Sequence, residues 1–206
     1  MKDLTVYIVD DDRTVLESLQ NRLRSAGMLV RTYHSAEQFI MDFRSHNAAC
    51  LIVDLQMPGM TGIQLIEWLR DQHIEMPVIV LSGHGNIPAV VESMKLGVAD
   101  FVEKPADDRI LVNRINELLQ SETVRLEELA KVQEIRNCFA TLTGREKELV
   151  ELLAIGLSSK QIAARVGIAL KTVENHRSHL LAKTRAPNVA SLVRMRMIAL
   201  DHPVVA

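Results

Sequence analysis

The chain has 206 residues, 48% of them hydrophobic and 24% charged, a composition that argues against a disordered or fibrous protein and leaves room for two cores. Aromatics make up only 3%, so the interior must be built from Leu, Val, Ile, Met and Ala, which favours helices and parallel strands over an aromatic-rich sandwich. The net charge of -2 hides a division: residues 1–140 carry 14 Lys and Arg against 21 Asp and Glu, a net of -7, while residues 141–206 carry 10 against 5, a net of +5, which points the C-terminal part at a polyanion.

No apolar stretch approaches the roughly 20 residues needed to span a bilayer, and the first residues lead into a strand-like run without a signal peptide's apolar core. A cytoplasmic protein with no membrane partner is expected. Cys50 and Cys138 lie far apart without metal-ligand spacing and read as packing thiols.

The first half alternates short apolar runs with amphipathic segments, the pattern of βα units around a parallel sheet. The runs fall at 6–9, 29–33, 50–53, 78–81 and 100–103. Helical patterns follow them at 14–26, 36–44, 61–71, 87–96 and from about 107 onward. Gly27 and Gly97 fit helix C-terminal positions, and Ser35 and Asp107 fit N-caps. Trp68, on the third helix, reads as partly buried packing.

From 107 to 136 there is neither Gly nor Pro, so this stretch reads as one long helix or two in series. Leu111, Ile115 and Leu118 form an apolar face that Glu122 and Arg125 interrupt before Leu126, Leu129 and Val132 resume it. The reading is a last helix of the first domain running into a helical linker, with a short dimeric coiled coil as the alternative. Four helical patterns and no strand then fill 142–199. Thr143 with Glu146 makes a capping box, Gly156 ends the first pattern, Ser158 or Ser159 opens the second, and Gly167 ends it. The third runs over about 170–184 and the fourth over about 188–200, a helix-turn-helix arrangement.

The polar residues sit at the C-terminal ends of the apolar runs: Asp10 and Asp11 after the first, Asp54 after the third, Ser82 after the fourth, Lys104 after the fifth. In an open parallel sheet, ligands bind in the crevice outside those ends. Three converging carboxylates repel one another unless a cation lies between them, and a hard, oxygen-liganded ion such as Mg²⁺ suits them. An ammonium has only donors and is better used on an anion. Carboxylates, a divalent cation, a lysine and a hydroxyl describe a phosphoryl-transfer site, with one carboxylate free to act as nucleophile. Asp12 reads as a solvated loop residue.

At this point the chain resembles a known family. Over residues 4–120 it is similar to response-regulator receiver domains, through Val9-Asp10-Asp11-Asp12, Val53-Asp54-Leu55-Gln56-Met57-Pro58-Gly59-Met60-Thr61-Gly62, Leu81-Ser82-Gly83-His84-Gly85 and Lys104-Pro105. The resemblance implies a flavodoxin-like α/β domain whose five-stranded parallel sheet is ordered 2-1-3-4-5. It also implies that Asp54 accepts the phosphoryl group, that Asp11 and Asp54 bind Mg²⁺, that Asp10 helps through water, and that Gln56 lends its backbone carbonyl. Lys104 would contact the phosphoryl oxygens beside a cis bond to Pro105. Ser82 would turn its hydroxyl toward the phosphoryl group, and Phe101 would be the switch aromatic that follows it inward. His84 and Gln56 occupy positions that modulate phosphoryl lifetime. Ala106 departs from the aromatic that relatives often carry there. Such a protein is not an enzyme beyond slow Mg²⁺-dependent autophosphorylation and autodephosphorylation. A phosphatase of the haloacid-dehalogenase type would need a second acid where Gln56 stands.

Residues 140–200 resemble the LuxR-type DNA-binding domain through Leu142-Thr143-Gly144-Arg145-Glu146, Lys160-Gln161-Ile162-Ala163 and Lys171-Thr172-Val173-Glu174-Asn175-His176-Arg177. The whole chain is therefore similar to the FixJ/NarL subfamily, as a receiver at 1–120, a helical linker at 121–140 and an all-α, four-helix helix-turn-helix domain at 141–206. Its third helix would enter the major groove. Glu174, Asn175 and Ser178 would read bases, and Lys160, Lys171, Thr172, Arg177, His179 and Lys183 would hold phosphates. Ala169 stands where relatives place a capping Ser, and Thr184 replaces an apolar residue. The implied partners are promoter DNA, a sensor histidine kinase, RNA polymerase and a second copy on phosphorylation. RNA or protein binding as output is the alternative.

Overall fold

The computed structural model describes residues 5–44, 49–83, 87–105 and 108–201. The apolar runs become strands and the amphipathic patterns helices, in the order β1 (Thr5–Val9), α1 (Arg13–Ser25), β2 (Leu29–Tyr33), α2 (Ala36–Asp42), β3 (Ala49–Asp54), α3 (Gly62–Asp71), β4 (Val78–Ser82), α4 (Ile87–Lys95) and β5 (Asp100–Glu103). The five strands pair in parallel in the order β2-β1-β3-β4-β5, as the resemblance implies. All six residues of β3 are buried, because a central parallel strand is covered on both faces.

Alternation along the strands sorts the core into two layers. Tyr7, Val9, Leu51, Val53, Val78 and Val80 face Phe39, Leu65, Ile66 and Leu69 of α2 and α3, with Trp68 partly buried against them. Val6, Ile8, Cys50, Ile52, Ile79 and Leu81 face Leu16, Leu19 and Leu23 of α1 and Leu111, Ile115 and Leu119 of the following helix. Four of the scarce aromatics, Tyr7, Tyr33, Phe39 and Phe43, pack together mostly edge to face. Both cysteines are free, and burial, helped by the charge of Glu122, pushes the Cys50 thiol up to about 12.

Local chemistry sets the helix ends. Asp12 is no idle loop residue: its side chain accepts the Thr14 N–H at 2.7 Å and caps α1. Ser35 caps α2 through Gln38 N–H, and α2 ends at Asp42, earlier than its pattern suggests, because Phe43 turns extended. Asp107, His84 and Ala106 lie outside the described residues.

One helix, α5 (Asp108–Ala140), covers the described part of the Gly- and Pro-free stretch and runs past its end at 136. The chain divides within it into two compact units, ending at Leu126 and starting at Glu127. Glu122 and Arg125, which break the apolar face in sequence, make a half-buried ion pair with each other. The Arg125 guanidinium grips Glu122 at 2.7 and 2.8 Å and reaches Glu75 at 2.7 Å, while the Glu122 side chain is only 8% exposed.

The second unit holds α6 (Gly144–Ala154), α7 (Ser159–Val166), α8 (Leu170–Thr184) and α9 (Val189–Asp201) around a core that includes Leu149, Leu153, Ile162, Val173, Leu180 and Leu192. Thr143 with Glu146 and Ser158 with Gln161 form reciprocal capping boxes; Ser158, not Ser159, is the cap. Three residues separate α7 from α8, and Gly167 makes that turn with φ 73°, a left-handed conformation that suits glycine. Ala169 caps α8 without a side-chain bond. Thr184 is buried in an apolar setting, but its hydroxyl donates to the Leu180 carbonyl at 2.8 Å and so is satisfied. Among the described residues, no helix is long and apolar enough to cross a membrane.

Candidate functional site

The parallel sheet brings the ends of β1, β3, β4 and β5 to one edge, and with them four of the side chains expected there. Carboxylate oxygens of Asp10, Asp11 and Asp54 all lie within 4.8 Å of one another. Asp10 and Asp54 are 1% and 8% exposed, and Asp11 is open to solvent. Lys104 follows β5 beside a cis bond to Pro105, and its Nζ stands 2.6 Å from Asp10 Oδ2 and 3.4 Å from Asp54 Oδ2. The Asp12 N–H donates to the other Asp10 oxygen at 2.9 Å.

Charge and burial work against each other in this crevice. Burial raises the Asp54 carboxyl; the Lys104 charge opposes that rise, and the charge of Asp10 adds to it. For Lys104 burial acts to lower the pKa, yet the hydrogen bond and charge of Asp10, followed by those of Asp54, hold it above its ordinary value. One ammonium among three carboxylates leaves an excess of negative charge. The donors are hard oxygens, one of them exposed, so the set suits a small divalent cation that keeps several waters. Asp11, Asp54 and the carbonyl of Gln56, in the loop after β3, could hold it.

Ser82 is buried at the end of β4, and its hydroxyl donates to the Gly83 carbonyl at 2.9 Å. The Lys104 N–H donates to the Ser82 carbonyl at 2.8 Å, which ties the ends of β4 and β5 together. Phe101 is half-buried against the core layer of α2 and α3. Gly62, the first residue of α3, closes the motif around Asp54 but has no role that sequence reasoning assigns. A Cβ there would meet the Asp54 carbonyl oxygen at 2.1 Å, so α3 can approach the nucleophile's backbone only because this position lacks a side chain. The signal was a glycine opening a helix, where propensity alone would not choose one.

In the second unit, Lys171, Asn175, Ser178 and His179 recur at helical spacing on α8 and form one exposed stripe, flanked by exposed Thr172 and Glu174. Lys171 lies 3.7 Å from the Glu174 carboxylate, and Lys160 is exposed on the first turn of α7. Two residues expected with this group are engaged elsewhere. Arg177 is half-buried and donates to the Ser159 hydroxyl on α7. Lys183 is ion-paired at 2.8 Å with Glu146, whose carboxylate also accepts the Thr143 N–H at 2.7 Å. The Lys183 bond, followed by Thr143, lowers the Glu146 carboxyl to about 2. Arg177 thus ties α8 to α7, and Lys183 ties α8 to α6.

Residues 6–116 match the response regulator receiver domain, and residues 140–196 match the luxR family of bacterial regulatory proteins. The chain belongs to the response regulators, as a receiver joined to a LuxR-type helix-turn-helix. Within that family it is of the NarL/FixJ type. It is 36% identical over 197 residues to the transcriptional regulatory protein FixJ of Rhizobium meliloti, covering 96% of this chain and 97% of that protein. It is 40% identical over 193 residues to the C4-dicarboxylate transport transcriptional regulatory protein DctR of Rhodobacter capsulatus, covering 93% and 98%. Among solved structures, response regulator StyR matches with a TM-score of 0.89 at 38% identity over 95% of this chain and 98% of that one. Full-length FixJ from B. japonicum matches with a TM-score of 0.58 at 33% identity, covering 98% and 100%.

Proposed function

We propose that this protein is a transcriptional regulator that takes a phosphoryl group on Asp54 from a sensor histidine kinase and converts that event into promoter binding. One observation carries the reading: Asp54 ends the central strand within 4.8 Å of two other carboxylates and 3.4 Å from a lysine. A carboxylate oxygen of Asp54 attacks phosphorus in line with the departing imidazole nitrogen of the kinase, and an acyl phosphate results. Asp11, Asp54 and the Gln56 carbonyl would hold Mg²⁺, with help from Asp10; the ion would supply neutralisation of charge on the transferring group. Lys104, already poised between Asp10 and Asp54, turns its donors to a phosphoryl oxygen.

Ser82 must release the Gly83 carbonyl to reach the same group, and Phe101 then follows it inward, which biases a pre-existing equilibrium of the receiver surface. The chain's own turnover is limited to slow autophosphorylation and autodephosphorylation. The organisation we assign is a receiver over 1–120, a linker over 121–140 and a DNA-binding domain over 141–206. Phosphorylation promotes a homodimer, α8 enters the major groove, and the bound dimer works with RNA polymerase in the cytoplasm. On the exposed face of α8, Glu174, Asn175 and Ser178 read base edges while Lys171, Thr172 and His179, with Lys160 of α7, hold phosphates.

The test is phosphorylation with acetyl phosphate and Mg²⁺, followed by sedimentation and promoter-binding assays. The wild-type protein gains a hydroxylamine-labile phosphoryl group, as an acyl phosphate must be, and binds DNA more tightly. An Asp54→Asn variant that is labelled and activated to the same extent refutes the mechanism.

A further inference from the structure

Glu37 lies on the first turn of α2 and belongs to no strand end, yet its carboxylate is tied to the loop that follows Asp54. Its Oε1 accepts the backbone N–H of Met60 at 3.0 Å, across 23 residues of chain. Gly59 makes the approach possible: its φ is +77°, and a Cβ at that position would stand 2.9 Å from the same oxygen. The Glu37 carboxyl is held below its ordinary value first by its own backbone N–H, then by that of Met60 and by Ser35. The bond to Met60 is therefore charge-assisted, which makes it stronger than a neutral one.

The loop from Leu55 to Thr61 is anchored at its far end. Thr61 and Gln64 cap α3 reciprocally, and the Gly62 N–H donates back to the Leu55 carbonyl at 3.2 Å. Met57 is buried, whereas Gln56, Pro58 and Gly59 are exposed. The excursion that carries Gln56 is thus held to the core by Leu55, Met57 and, in part, Met60, and open to solvent at Gln56 and at the Pro58-Gly59 bend. At the outer bend, the Glu37 carboxylate of α2 adds a hydrogen bond to the backbone itself.

We propose that Glu37 is a positioning residue for the metal-binding loop: by holding the Met60 N–H it sets where the Gln56 carbonyl stands relative to Asp11 and Asp54. The proposal rests on the assignment of those residues to Mg²⁺ made above. Groups that orient a metal's ligands without touching the metal change affinity when removed. Glu37 acts through a loop rather than directly on a ligand, so the expected loss is about threefold to tenfold in Mg²⁺ affinity, below the usual range for direct partners.

The experiment uses the full chain and titrates Mg²⁺ by calorimetry for wild type, Glu37→Gln, Glu37→Leu and Asp11→Asn, with amide exchange of Met60 measured in parallel. Both Glu37 variants lose the charge on the first turn of α2, but the glutamine amide oxygen can still accept from Met60. Glu37→Gln is expected to bind Mg²⁺ within about twofold of wild type and to keep Met60 protected, whereas Glu37→Leu binds threefold to tenfold more weakly and exposes that amide. Glu37→Leu binding as tightly as wild type, or Glu37→Gln as weak as Glu37→Leu, overturns the positioning role while leaving the metal site standing. Wild type that takes up no Mg²⁺, or Asp11→Asn that takes it up equally, overturns the metal site and this proposal with it.

Discussion

Replacing Gly62 by alanine sets two effects of opposite sign against each other. Alanine is the better helix former by about 1 kcal/mol in a helix interior and by less at the first position, so local propensity favours the variant. The structure opposes it: the new Cβ would stand 2.1 Å from the Asp54 carbonyl oxygen and 2.9 Å from its carbon. Restoring an ordinary contact needs a shift of about 1 Å, and overpacking of that kind costs about 1–3 kcal/mol. Asp54 ends a strand buried along its length and paired to β4, so neither side of the contact yields freely. The expected net loss of about 1–2 kcal/mol lowers the melting temperature of a unit this size by about 4–8 °C. A misplacement of about 1 Å at a nucleophile can cost about 100-fold in rate, so phosphorylation by acetyl phosphate should slow by about 10- to 100-fold. The assays are calorimetric unfolding and initial phosphorylation rates with Mg²⁺. An alanine variant that melts at or above the wild-type temperature and is phosphorylated at the wild-type rate refutes the reasoning.

Arg125→Ala leaves the 8% exposed Glu122 carboxylate without the guanidinium that grips it; because that guanidinium is itself 36% exposed, urea unfolding of the first unit should show a loss of about 1–3 kcal/mol, whereas replacing both residues by Met should come close to neutral; equal losses in the two variants would contradict this. The Glu146 carboxyl has a folded value of about 2 against an ordinary 4.5, so its contact with Lys183 contributes fully above about 4.5 and is lost as pH falls toward 2. Lys183→Met should therefore destabilise α8 by about 0.5–1 kcal/mol at pH 6, with the difference from wild type vanishing near pH 2 in urea titrations followed by the α8 amide signals; a gap that persists at pH 2 assigns the effect to packing. On DNA, Asn175→Ala should lose about 1–3 kcal/mol at one base pair and little elsewhere, while Arg177→Ala should weaken all sites alike and Ser159→Ala should partly reproduce it. A sequence-selective loss in Arg177→Ala would show that this guanidinium reads bases.

Much of this molecule is legible in one dimension because its signals are local. Short continuous apolar runs identified the strands, because a parallel strand covered on both faces is apolar throughout, and the caps at Ser35, Thr143 and Ser158 marked helix starts through bonds spanning three residues. Placement of the acids needed only the rule that a parallel sheet gathers its C-terminal strand ends on one edge. Glu122 and Arg125 misled for the converse reason. Their pairing is local, three residues apart, but that Glu122 is buried is decided by the packing of the layers and not by its neighbours in sequence.

The sequence by itself determined which elements form, which end of the sheet carries the carboxylates, and which helix carries the exposed polar stripe. Only the tertiary structure decided what each charge is engaged with. Arg177 and Lys183 have the residue type and position of phosphate contacts, but their partners Ser159 and Glu146 come from 18 and 37 residues away. Gly62 is confined by the carbonyl of Asp54, and Glu37 holds an amide 23 residues distant. Helical and strand periodicity specify neighbours within a turn or a register, whereas contacts at these separations exist only once the layers have packed.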